Sequence, residues 1–210
     1  MNKHSLFFHL TTLTRHPCFQ MKEAHAEAMR TTLCPGCAHP RVEAEGIDVW
    51  LQEKRPPRDK PLNFLWGCGI GLIHRELIEL IGLAAVERDL YLGLVSDESR
   101  RECVEWRTFH GRYTLLFRGS TEAGYRTCAV CGRNIYSAMG KPFLYPAPPN
   151  DAMIYGSNLG GLIVPPEIAE RVRAKGWRKV SIEKLPVLDE PIDGLGLLPY
   201  REAVPPGKGD

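Results

Sequence analysis

Four of the seven cysteines stand in two Cys-x-x-Cys pairs, Cys34-Pro35-Gly36-Cys37 and Cys128-Ala129-Val130-Cys131. Such a turn lets two thiolates reach one ion, and two turns supply the four sulfurs of a closed tetrahedral zinc site. The turns need small or permissive residues, and Pro35, Gly36 and Gly132 meet that need. Gly132, directly after the second pair, can take positive φ and let backbone N–H groups approach sulfur. Ala38 stands at the matching place after the first pair. Ninety residues, 38 to 127, separate the pairs, so one shared ion would clip distant parts of the chain together. Four cysteine ligands leave no open position for a substrate, so the expected zinc is structural, one per chain.

Other chemistry lacks its context. Cys34-Pro35-Gly36-Cys37 has the size of a disulfide-oxidoreductase motif, which should follow a buried strand and open a helix. Here Arg30-Thr31-Thr32-Leu33 precedes it and Ala38-His39-Pro40 follows, which stops a helix. Imidazole also binds zinc, but four sulfurs need no help, and His39 reads as a residue beside the ligands. The isolated Cys18, Cys68 and Cys103 read as buried, inert thiols. Gly67-x-Gly69-x-Gly71 lacks the lysine of a P-loop and the spacing of a dinucleotide fingerprint. His74 and His110 pair with no nucleophile that the sequence identifies, and Glu76 and Glu79 read as the wet face of a helix. No catalytic constellation emerges, and the expectation is a protein that is not an enzyme.

The elements that must position the cysteines follow from pattern. Of 210 residues, 43% are hydrophobic and 25% charged, enough for a core without disulfide staples. A strand is expected over 5–12 and helix formers fill 21–31, while 53–61 is a charged, proline-rich loop. Leu77, Ile78 and Ile81 at helical spacing predict a helix over 74–81, with Gly82 as its stop. Residues 91–95 read as a strand, and 104–107 and 113–117 as two strands around a turn at His110-Gly111. Residues 142–150 hold four prolines and read as an ordered loop. Pro165-Pro166 opens a second helix to Lys175, with acidic residues near its start, Arg171, Arg173 and Lys175 near its end and Gly176 as stop. A strand with alternating faces follows over 180–183.

Two stretches repeat one order: a Cys-x-x-Cys pair, Gly-Leu-Ile (Gly71-Leu72-Ile73, then Gly161-Leu162-Ile163), a helix, a glycine and a strand. The expected fold is therefore α+β, a mixed sheet with flanking helices in one zinc-stapled domain over 1–204. It divides into pseudo-repeated β-α-β halves at 30–120 and 121–204, with a loose tail at 205–210.

Charge and hydropathy restrict the setting. The net charge of +2 is too small for an evident nucleic-acid binder and excludes a strongly acidic nucleic-acid mimic. No run of 18 apolar residues predicts a membrane-spanning helix. The short apolar patch near the start is broken by His9 and Thr11-Thr12 and reads as a strand, not a signal peptide. The cytoplasm is the expected location, where thiols stay reduced and favour metal ligation over disulfides.

The widely spaced pairs, with Cys128-Ala129-Val130-Cys131-Gly132 as the second, and the Gly-Leu-Ile-Val, helix, glycine, strand order at 161–185 resemble the bacterial double-CxxCG motif proteins. The resemblance covers about residues 30–190 and departs from the pattern at Ala38. It implies an immunity protein, an antitoxin that inhibits a toxin delivered by neighbouring bacteria, with a cognate toxin as its protein partner. Anchors for that partner are expected in two irregular stretches, at Tyr136, Phe143 and Tyr145 and at Asp189, Glu190 and Asp193. The alternative is a zinc-containing nucleic-acid-binding or regulatory module using the basic cluster Arg171, Arg173, Lys175, Arg178 and Lys179 with Trp177.

Overall fold

The computed structural model describes residues 7–12, 29–37, 46–52, 56, 60–64, 70–111, 113–115, 125–131, 134–136, 153–157, 161–177, 179–185 and 201–202. Among them the strands are β1 (Phe7–Thr12), β2 (Val49–Trp50), β3 (Leu62–Phe64), β4 (Gly71–His74), β5 (Leu90–Ser96), β6 (Glu102–Gly111), β7 (Tyr113–Leu115), β8 (Tyr125–Thr127), β9 (Asn134–Tyr136), β10 (Tyr155–Ser157), β11 (Leu162–Val164), β12 (Val180–Leu185) and β13 (Arg201–Glu202). The α-helices are α1 (Arg75–Ile81), α2 (Leu83–Asp89) and α3 (Pro166–Lys175). None is long and apolar enough to cross a membrane.

The strands form two large sheets instead of one. The first has the order β12-β1-β11-β10-β7-β13, the second β2-β5-β6-β4-β3, and β8 and β9 make a separate hairpin. In the second sheet β4 and β5 both run antiparallel to β6, so they are parallel to each other with β6 between. In the first sheet β11 and β12 both run antiparallel to β1 and stand in the same relation across it. The sheets meet where β1 packs on β3 and β6 packs on β10.

One core joins both sheets and all three helices. Phe8 and Leu10 from β1, Leu162 and Val164 from β11, and Ile73 and Phe109 from the second sheet meet Leu77, Ile78 and Ile81 of α1, Val86 of α2 and Ile168, Ala169 and Val172 of α3. The second sheet is buried on its other face too, by Leu72, Val95 and Trp106 packed with Met29, Ile47, Val49 and Leu51. The period-two alternation of a strand sends Leu72 to one cluster and Ile73 to the other. Each such side chain contributes about 1.5–3 kcal/mol by burial.

Helix boundaries follow their caps. His74 precedes α1 in extended conformation, and its Nδ1 accepts from the Glu76 amide at 3.2 Å. Pro166 opens α3, and Gly176 closes it in the left-handed region at φ 67°, its N–H donating to the Arg173 carbonyl.

Two expectations need correction. Gly82 does end α1, but α2 starts directly after it: its φ of 111° redirects the chain without ending helical structure. His110-Gly111 is no hairpin turn. Both residues lie in β6, opposite Tyr91 and Leu90 of β5, and β7 joins the other sheet beside β10. The ten-residue β6 is held by partners on both sides, which outweighs a local Gly signal for a turn. The alternation expected over 180–183 holds in β12, where Val180 and Ile182 pack against the core and Glu183 is exposed. Of the stretch 21–31, residues 29–31 form a single 3₁₀ turn, and the remainder lies outside the described residues, as do 142–150 and 205–210.

Candidate metal centre

The first cysteine pair is seated by the N-terminal flank of the second sheet. Met29 is buried in that sheet's outer cluster and Leu33 packs beside it. The 3₁₀ turn between them is fixed by the Leu33 amide and the Thr32 hydroxyl, both donating to the Met29 carbonyl at 2.9 Å. The chain then folds back through Pro35-Gly36, and the Cys37 amide donates to the Cys34 carbonyl at 3.3 Å. Cys34 ends buried and Cys37 half-buried.

The second pair occupies the turn of the β8–β9 hairpin, just past the Thr127–Asn134 register pair. Cys128 is buried and Cys131 half-buried, while Ala129 and Val130 face outward. The amides of Cys131 and Val130 donate to the Cys128 sulfur. These bonds, against burial and with help from the Cys131 and Cys34 side chains, pull its thiol down to about 6. A sulfur in that state is largely thiolate at neutral pH, the form that binds metals.

The two turns face each other. Cys34 and Cys128 sulfurs are 3.7 Å apart, Cys37 and Cys131 sulfurs also 3.7 Å, and all four lie within 4.8 Å of one another. A disulfide needs about 2.05 Å between sulfurs, and all four are free thiols. A tetrahedral thiolate site with metal–sulfur bonds of about 2.3 Å has sulfur–sulfur edges of about 3.8 Å. The cluster thus has the donors and the spacing to hold one metal ion. Gly36 permits the approach: a Cβ there would lie 2.7 Å from the Cys128 sulfur and 2.9 Å from Val130 Cγ2. The sequence marks Gly36 as permissive for its own turn, but not that a side chain there would run into Cys128 and Val130 of the opposing turn.

Other singled-out residues fall into place around packing. Cys103 is buried in the second cluster, as expected of an inert thiol. His74 caps α1 and sits edge-on to Trp106 at 5.0 Å, and His110 lies against Tyr91 at 4.9 Å. Gly71 is structural, since a Cβ there would meet the Phe109 ring at 2.2 Å. Glu76 and Glu79 are exposed on α1. In the basic cluster, Arg171 donates to the Ile81 carbonyl at 3.2 Å, and Arg173 pairs with Glu170 and lies 5.7 Å from the Phe8 ring centre. Tyr136 lies in β9, opposite Tyr125. Phe143, Tyr145, Asp189, Glu190, Asp193, Cys18, Cys68, Arg178 and His39 have no place among the described residues, except that Arg178 falls just before β12 in sequence.

A carboxylate that the sequence did not flag ties the end of α2 to the segment before β10. Asp89, at the end of α2, is buried and bound by the Arg88 guanidinium at 2.7 and 2.8 Å. It also accepts the amides of Met153 and Ile154 at 2.8 and 3.1 Å, just before β10. No protein family and no curated protein matches this chain.

Proposed function

We propose that this protein is a non-enzymatic immunity protein, which binds a cognate toxin in the cytoplasm and neutralises it, with one zinc ion as a structural staple. The observation that carries the reading is the four-sulfur cluster built from two distant Cys-x-x-Cys turns, the feature on which the resemblance to the double-CxxCG proteins rests. Four thiolates at tetrahedral spacing suit zinc and leave no coordination position for chemistry. His74 and His110 and the buried Asp89 and Asp97 serve capping, stacking and turn contacts, which fits a binder. Iron is the other ion for a four-thiolate set, and elemental analysis of the purified protein distinguishes the two, with one zinc per chain expected.

We also read the chain as two related β-α-β halves, each giving one cysteine pair. Support comes from the order strand, helix, strand in β4-α1-α2-β5, where α2 is an added helix, and in β11-α3-β12, each with an antiparallel strand between its parallel pair. The sulfur contacts join first cysteine to first and second to second. The central strand follows its unit in one half (β6) and precedes it in the other (β1), so a duplication would include one permuted strand. Superposition of the two halves in a crystal structure tests this, and failure to align both helices with both cysteine pairs ends it.

Neutralisation requires a partner held for longer than the toxin needs to act. The expected dissociation constant is nanomolar or tighter, roughly −12 kcal/mol. The test is co-expression with the product of the adjacent gene, which the reading expects to be toxic. Cells should survive only when this protein is present, and equal killing with and without it overturns the reading.

A further inference from the structure

Helices α1 and α3 pack together and leave an open groove of about 540 Å³, lined by Glu76, Glu79, Leu80, Arg171, Ala174 and Lys175. The two walls use the same spacing, i, i+3 and i+4, which places each trio on one helix face. One wall is acidic, the other basic, and Leu80 with Ala174 supplies the apolar part between them. The walls do not neutralise each other. Glu79 pairs with Arg75 of its own helix at 3.4 Å and Arg171 donates to the Ile81 carbonyl. Among the described residues Glu76 and Lys175 have no ion-pair partner.

Unpaired opposite charges flanking an apolar strip describe their own complement. We infer that this groove docks one α-helix of the protein partner, a helix with basic side chains along one flank, acidic side chains along the other and small or apolar residues between. The inference rests on the proposed role as a protein binder and names the surface used. Ligand pockets for small molecules are mainly apolar and enclose most of the ligand, whereas four of these six lining residues are charged and the groove is open. A helix suits the length: α1 and α3 have seven and ten residues, about 10 and 15 Å, or two to three turns of an occupant. The small Ala174 lets a third helix approach closely, and flanking charges of opposite sign fix its direction, as e and g positions do in coiled coils.

The test uses the full-length protein, its groove variants and the product of the adjacent gene, with binding measured by calorimetry and protection by co-expression. Glu76→Lys and Lys175→Glu change exposed, unpaired side chains, and Ala174→Trp fills the groove from an exposed position, so thermal melting should be unchanged. Each charge reversal should weaken binding roughly tenfold, with a changed salt dependence, and Ala174→Trp should abolish protection. If the wild type protects and all three variants bind as it does, the groove assignment is overturned and the immunity reading stands. If the wild type neither binds nor protects, the immunity reading falls and the groove assignment falls with it. Loss of self-association in the variants, with toxin binding intact, would assign the groove to a second copy of this chain and overturn the proposal.

Discussion

A methyl group on Gly36 would intrude on the Cys128 sulfur at 2.7 Å, so Gly36→Ala should leave the fold intact while lowering metal affinity. Competition with a chromogenic chelator measures this, and unchanged affinity would show that the turns can move apart freely. Cys128→Ser removes the ligand already poised as thiolate. It should reduce bound metal well below one equivalent and lower the melting temperature. Zinc is worth roughly 10–16 kcal/mol in small zinc peptides, and the separate hydrophobic core should cushion that loss here. Asp89 permits a prediction about pH. Burial pushes its carboxyl up, but the Arg88 guanidinium and the Met153 and Ile154 amides outweigh burial and hold it below its ordinary value. A carboxyl lower in the folded than in the unfolded chain adds stability that is complete above about pH 4. That stability is lost as pH falls through the folded value. Asp89→Ala should cost about 2–4 kcal/mol at neutral pH, because the buried Ile154 amide and the part-buried Met153 amide lose their acceptor. Asp89→Asn should flatten the acid limb of a melting-temperature profile, and parallel profiles for variant and wild type would refute the assignment.

At the level of elements, Gly161 is a joint constrained both in conformation and in space. Its φ is +89°, and a Cβ would meet the Leu10 carbonyl oxygen at 2.2 Å. Gly161→Ala should therefore separate β11 from β1 and destabilise by more than the roughly 1 kcal/mol of an ordinary glycine change, read by chemical denaturation. Much of the element list was legible because local chemistry decides it. Leu77, Ile78 and Ile81 mark α1, and Pro166 and Gly176 bracket α3. The cysteine quartet was legible for the same reason, since ligand type and spacing carry the signal. What the sequence hid is decided at a distance. Helix α2 was overlooked because Gly82 reads locally as a stop, and β6 was cut at His110-Gly111 because its partners Leu90 and Tyr91 lie about 20 residues earlier. The division into two sheets depends on which strands find each other, and no single strand's pattern states that.

For the whole molecule, the cysteine cluster and the core are separate in space. Both sheets and all three helices share a hydrophobic core that contains none of the four clustered cysteines. Chelation should loosen residues 29–37 and 125–136 and leave the sheets closed. Hydrogen exchange should then rise in those two segments alone, and global unfolding on chelation would show that the core depends on the ion. Strand β1 has a different consequence. It fills the gap between β11 and β12, and Phe8 pairs with Val164 and Lys184. On a ribosome, the second sheet can close once residue 111 has emerged, since all its strands lie between 49 and 111. The Phe7-Phe8-His9-Leu10 stretch must wait for about 150 more residues, roughly 8–30 s at ordinary elongation speeds. Until then it is an apolar strand with two bare edges, and a nascent chain in that state is an evident client for chaperones.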